Sequence, residues 1–173
     1  MMRPGPPEVV MSGVPTIEGA VLVRGLAAED LERVIGLDAR IVGRRREEFF
    51  KLKLQQNLKE TGIKVSLAAE LDRCFCGFLL ARVYYGEFGA LEPVAVLDTL
   101  GVHPDFRGRG VGSGLLGQLR KNLGALRVPR LRTEVAWENQ TLLHFLHREG
   151  FQPAPRLCLE LDLARPAREE ASP

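Results

Sequence analysis

Apolar positions recur at two periods along this chain, and the switches between them mark strands and helices. Residues 20–24 form a short apolar run of strand length. Residues 28–42 change to helical spacing, with Leu31, Val34, Ile35, Asp38, Ile41 and Val42 on one stripe. Glu29 and Asp30 put acidic side chains where a helix start favours them. Residues 45–59 predict a second helix, with Phe49, Leu52 and Gln56 at turn spacing and Gly62 as its stop. Strands follow over residues 63–70 and 74–85, joined by a tight turn at 71–73. After a loop at 86–93 come a strand, Val94–Val102, and a helix over 111–123. A strand over 130–136, a helix over 139–149 ended by Gly150, and a last strand within 151–162, bent by Pro153 and Pro155, complete the pattern. The order is β-α-α-β-β-β-α-β-α-β. Residues 19–163 read as the folded domain. Residues 1–18 read as a disordered segment and 164–173 as a frayed tail. There is no internal repeat.

The loop between Val102 and the helix from 111 carries the chemistry. It contains Arg107, Gly108, Arg109, Gly110, Val111, Gly112 and Ser113, with no acidic residue after Asp105. The first N–H groups of a helix lack intrahelical partners and sit at the positive end of its dipole, so they attract an anion. Glycine lets a bulky anion approach the backbone. Three phosphate-binding patterns are separable by spacing. A Walker loop needs Lys followed by Ser or Thr, whereas Ser113-Gly114 follows Gly112. A dinucleotide fingerprint needs a third glycine where Ser113 stands, and an acidic residue further on in a long βαβ repeat. The pattern Arg-x-x-Gly-x-Gly is satisfied by Arg107, Gly110 and Gly112.

That last pattern, with Val102-x-Pro104 before it, resembles the acyl-CoA pyrophosphate loop of the GNAT family of N-acetyltransferases. The element order over residues 20–162 is similar to the fold of that family, which implies an α+β domain with a mixed central sheet flanked by helices. The segment from Glu134 through Asn139 to Gly150-Phe151 resembles the family's closing strand, helix and turn. The resemblance implies an N-acetyltransferase that moves an acetyl group from acetyl-CoA to a primary amine by direct attack in a ternary complex. It implies no metal. It places Leu100, Gly101 and Val102 along the pantetheine arm, on a strand splayed from its neighbour. It gives Asn139 a contact to the same arm, a position that equally suits a helix N-cap. Gly101 relaxes the strand there, since glycine within a strand marks a bulge or close approach.

Acetyl transfer needs a group that takes the proton of the amine, and two carboxylates qualify. Asp98 lies within the apolar run Val96–Leu100, where an unpartnered carboxylate is costly to bury. Its structural alternative is an ion pair with an arginine such as Arg82. Glu134 stands five residues before Asn139. Its position resembles the catalytic Glu of ribosomal-protein alanine acetyltransferases, and its alternative is an exposed strand carboxylate. A water chain with no single base is the third option. The family's usual Tyr near the CoA sulfur is replaced by Leu146. Tyr84 and Tyr85 are the remaining hydroxyls considered for that role. The departure keeps open an acetyl-CoA-binding pseudoenzyme or sensor, and a nucleotide-binding or protein-interaction module using the same anion loop is a further alternative. Acceptor choice is expected from the first two helices and the 86–93 loop, where Glu47, Glu48, Glu87 and Glu92 offer negative charge.

Composition adds boundaries. With 173 residues the chain suits one domain that buries about 70% of its unfolded surface. A net charge of +2 gives no argument for a nucleic-acid partner. The run Arg44–Arg46 reads as a solvated helix start. Cys74, Cys76 and Cys158 form neither a disulfide framework nor a zinc pattern, which suits a reducing, cytoplasmic setting. Cys74 and Cys76, two apart in a strand, are expected to face one side. The first 19 residues hold four prolines and no apolar core, unlike a signal peptide, and no run is long enough for a membrane span. The alternation Leu157, Leu159, Leu161 suits an internal strand or a strand paired across the two-fold axis of a homodimer.

Overall fold

Five strands lie side by side in chain order, β1 (Leu22–Gly25), β2 (Leu67–Leu71), β3 (Cys74–Tyr84), β4 (Val94–Val102) and β5 (Arg130–Arg132). The first three pairings are antiparallel and β4 with β5 is parallel, so the sheet is mixed. These positions come from a computed structural model, which describes residues 20–59, 62–86, 89 and 91–164. The segment expected to be disordered, 1–18, and most of the expected tail lie outside the described residues.

The helices are α1 (Leu31–Val42), α2 (Glu47–Leu58), α3 (Val111–Ala125) and α4 (Gln140–Arg148). Short 3-10 turns precede α1 (Ala28–Asp30) and α3 (Pro104–Phe106). Residues through Ala136 form one compact unit and residues from Trp137 a second.

In the first unit, α1 and α2 bury Val34, Ile35, Leu37, Phe50, Leu54 and Leu58 against Phe78 and Leu80 of β3. Side chains alternate across a strand, so Gly77 faces the other side. There a Cβ would meet Val111 Cγ1 at 2.7 Å and Leu115 Cδ1 at 3.1 Å, which puts α3 on that face. Each such large apolar side chain contributes about 1.5–3 kcal/mol on burial. The α2 stripe is rotated from the expected one. Phe50, Leu54, Asn57 and Leu58 are buried, while Leu52 is 53% exposed.

Ion pairs hold the layer edges. Arg24 on β1 makes a two-pronged contact with Asp30, at 2.7 and 2.8 Å, and reaches Glu70 on β2 at 2.7 Å. The Arg24 hydrogen bond holds the buried Asp30 carboxyl below the usual carboxylate range. Arg46 grips buried Asp38 of α1 at 2.6 and 2.8 Å and lies over the Phe49 and Phe50 rings. Arg46 is therefore part of the α1–α2 join rather than solvated, because a buried carboxylate requires a cation.

Two expectations about strands are corrected. Cys74 is exposed and Cys76 buried. Ala69 pairs with Gly77 and Glu70 with Phe75, so Cys76 is an extra residue that breaks the alternation. The turn between β2 and β3 has Asp72 and Arg73 at φ 50° and 63°, the left-handed pair of a tight hairpin.

The second correction concerns the chain after α4. Residues 151–162 form no strand among the described residues. Leu157, Leu159, Leu161 and Leu163 are 80–87% exposed. A strand requires a neighbour for its backbone groups, and no pairing to this segment is present among the described residues. In the same unit, α4 is capped by Asn139, whose Oδ1 accepts from the Leu142 N–H at 3.1 Å. Gly150 ends the helix with φ 88°.

Candidate active site

The parallel pairing of β5 with β4 covers only Val94–Val96 against Arg130–Arg132. Sequence alone predicted a strand to 136. Instead, the last link between the two segments is Thr133 Oγ1, which donates to the Leu97 carbonyl at 2.9 Å. Beyond it the edge of β4 from Asp98 to Val102 has no strand beside it among the described residues. His103 N–H donates back to Cys76 O on β3. By alternation, the backbone groups of Val102 and Leu100 point to the open edge. That edge runs directly into the glycine loop and the start of α3.

The loop enters α3 through two glycines. Gly108 and Gly110 adopt φ +76° and +78°, a conformation other residues rarely take. Gly110 is the residue that opens α3, and the first helical bond runs from Gly114 N–H to Gly110 O. The N–H groups of Val111 and Gly112 precede that bond and stand at the helix start. No acidic residue lies in the first turn. Arg107 and Arg109 are exposed beside it, and Arg109 rests over the Phe106 ring. Arg40 of α1 reaches the loop, with Nη1 3.1 Å from His103 Nε2. Arg40 was absent from the sequence reading because seventy positions of chain divide it from the helix it approaches. Ser113 is exposed on the first turn.

Gly101 is explained differently from the expectation. A Cβ there would sit 2.5 Å from Phe78 Cε1, so the glycine admits the Phe78 ring. The irregularity of β4 lies three residues earlier. Leu80 pairs with Thr99 and Ala81 with Leu97, leaving Asp98 as the bulged residue.

Asp98 carries an ion pair, but Arg82 is not its partner. Lys53 of α2 places Nζ 2.7 Å from Asp98 Oδ2, with both side chains partly exposed. Arg82 lies over the Tyr84 ring instead. Lys53 was missed because the helical stripe read from the sequence ran through Phe49, Leu52 and Gln56. Glu134 is exposed. Continuing the register of Val96 with Arg132 by two residues brings it level with Asp98 across the parting strands. The two carboxylates named from sequence thus flank the place where β4 and β5 separate. Of the other named acids, Glu47 pairs with Lys51 at 2.9 Å, Glu48 with the same lysine at 3.0 Å, and Glu92 with Arg130 at 3.5 Å. Glu87 lies outside the described residues. Leu146 is buried. Tyr85 is exposed and Tyr84 partly so. Among the described residues, no cluster of His, Cys, Asp or Glu is arranged to hold a metal, and no helix is long and apolar enough to cross a membrane.

The model of the acetyltransferase (GNAT) family matches residues 29–151. Among solved structures, aminoglycoside N-acetyltransferase AAC(6')-Iy in complex with CoA superposes with a TM-score of 0.71 at 20% identity, covering 87% of this chain and 99% of that one. Ribosomal-protein-alanine N-acetyltransferase from Brucella melitensis biovar Abortus 2308 gives 0.67 at 18% identity, over 83% and 99% of the two chains. Arabidopsis thaliana Naa50 in complex with the bisubstrate analogue CoA-Ac-MVNAL gives 0.60 at 19% identity, over 76% and 83%. At these identities the structures establish a shared fold.

Proposed function

Because this chain belongs to the acetyltransferase (GNAT) family, we propose that it transfers the acetyl group of acetyl-CoA to a primary amine, by direct attack within a ternary complex. One observation carries the reading. The open edge of β4 begins where Asp98 and Glu134 flank the gap and ends at the glycine loop of α3. An extended ligand with a pyrophosphate at one end and a thioester at the other fits that track. The names of the similar structures support the class of acceptor, since an aminoglycoside, a ribosomal protein alanine and the peptide MVNAL all offer amines.

In this reading the N–H groups at the start of α3, with Arg107, Gly108, Arg109, Gly110, Val111, Gly112 and Ser113, hold the pyrophosphate. Leu100 and Val102 pair with the pantetheine arm as a neighbouring strand would. Gly101 lies between them. A backbone N–H of β4 near the bulge stabilises the oxygen that gains charge as the amine attacks. Glu134, exposed and level with Asp98, takes the amine proton directly or through one water. Asp98, held by Lys53, orients the incoming nitrogen. The thiolate leaves without a dedicated acid, since Leu146 stands at the sequence position of the family's usual Tyr.

Leu146 favours one second reading, binding of acetyl-CoA without transfer. Calorimetric titration with acetyl-CoA, against desulfo-CoA and ATP, tests the site. Release of free CoA with a panel of amines then separates enzyme from sensor. Micromolar acetyl-CoA binding with weak ATP binding supports the assignment, and absence of binding overturns it. The exposed leucines from 157 to 163 further suggest a homodimer built on that segment. Sedimentation of Leu159→Glu beside the unaltered chain tests this, and an unchanged mass overturns it. The three unpaired cysteines suit a cytoplasmic protein.

A further inference from the structure

We propose that Lys53 is itself an acceptor, so that the chain acetylates its own α2 helix. The inference rests on the transfer reading above. It begins from the Lys53–Asp98 contact of 2.7 Å. The Lys53 amine is therefore held at the bulge of β4, beside the point where β5 departs and the open edge starts. In the transfer reading the thioester lies at that point. Lys53 belongs to the same compact unit as β4 and the glycine loop, so attack needs no second molecule.

The other lysines make this position distinctive. Lys51, Lys59, Lys64 and Lys121 are exposed, and Lys53 is the one that is partly buried. Lys51 is held by Glu47 and Glu48 on the outer face of α2. Lys53 instead lies on the inward side with Phe50, Leu54 and Asn57. The Asn57 side chain donates to the Lys53 carbonyl at 2.7 Å and keeps Oδ1 buried without a partner. The amine is presented inward, close to a carboxylate, on a well-formed helix.

The step balances simply. The Lys53 nitrogen forms a bond to the acetyl carbonyl carbon, and the carbon–sulfur bond of the thioester breaks. The ammonium loses two protons overall, one to the departing thiolate and one to solvent. The product is a neutral amide at Lys53 and free CoA, with no redox change. The ion pair with Asp98 disappears with the charge.

The test incubates the full chain with acetyl-CoA and no added amine, then follows intact mass and maps the modified peptide. We expect a gain of one acetyl group, located at Lys53, with a first-order rate independent of protein concentration. Lys53→Arg keeps the cation for Asp98 and should remove the modification. Asp98→Asn releases the amine from the bulge and should slow it on the order of a hundredfold through lost positioning. Calorimetry on the same sample separates the two ideas. If acetyl-CoA binds but Lys53 stays unmodified, self-acetylation is overturned and the transfer reading stands. If acetyl-CoA does not bind, both fall. Label spread over Lys51, Lys59, Lys64 and Lys121, or persisting at equal rate in urea-unfolded chain, marks chemical acetylation and also overturns the proposal.

Discussion

Lys53 Nζ stands 2.7 Å from Asp98 Oδ2, joining the inward side of α2 to the bulge of β4. The side chains keep 25% and 30% of their exposure, so solvent screens the pair and it contributes about 0.2–1 kcal/mol. Lys53→Met should therefore lower unfolding free energy in urea by at most about 1 kcal/mol. A loss above about 3 kcal/mol would show that the pair behaves as a buried structural bridge.

The two carboxylates at the strand gap should separate by role. Glu134→Gln should reduce turnover on the order of a hundredfold while leaving acetyl-CoA affinity nearly unchanged. Asp98→Asn should raise the KM for a cationic amine more than it lowers turnover at saturation. Steady-state kinetics with binding measured separately decides both. Full activity in the two variants would leave no side-chain base in the mechanism.

Gly110 tests the anion site. Its φ of +78° strains an alanine by about 1 kcal/mol. Aspartate tolerates that conformation better but places a carboxylate at the helix start. Gly110→Ala should cost stability and weaken acetyl-CoA binding modestly. Gly110→Asp should weaken it on the order of a hundredfold or more, close to 3 kcal/mol. Equal affinities for the two variants would sink the pyrophosphate assignment.

Gly101→Ala should destabilise the fold by about 1–3 kcal/mol, because its Cβ would lie 2.5 Å from the Phe78 ring. Adding Phe78→Leu should recover part of that loss in a double-mutant cycle. Additive costs would mean that Gly101 matters through its backbone instead.

Acid should loosen the join between β1 and the turn before α1. Arg24 lowers the folded-state proton affinity of Asp30. Its contribution is present above the unfolded-state pKa, near 4. It is lost as pH falls through the lower folded value, because the unfolded chain binds the proton first. Asp30→Asn should cost about 2 kcal/mol at neutral pH and flatten the acid side of the stability profile. Urea midpoints from pH 7 downward test this. An unchanged acid slope would assign the loss to another carboxylate.

What the sequence showed was what its local spacing controls. The Arg107–Gly112 pattern is contiguous and concerns backbone geometry, so the turn into α3 was legible from its glycines. The α1 stripe was readable because its apolar residues are close to helical period. In contrast, Lys53 and Asp98 are partners from different elements, and their contact depends on the rotation of α2 by about one position. The bulges at Cys76 and Asp98 leave no compositional mark, since any residue fills the extra place. The segment 151–162 has strand alternation, yet alternation records only which side chains share a face. Pairing depends on a neighbour the sequence does not specify.

The bulge at Asp98 also divides β4 by purpose. Before it, Val94–Val96 is hydrogen-bonded on both sides and belongs to the scaffold. After it, one side is left for whatever lies along the edge. Substitutions in the first half should register in folding experiments, and those in the second half in binding experiments. A single inserted residue thus lets durability and recognition be tuned apart within one strand.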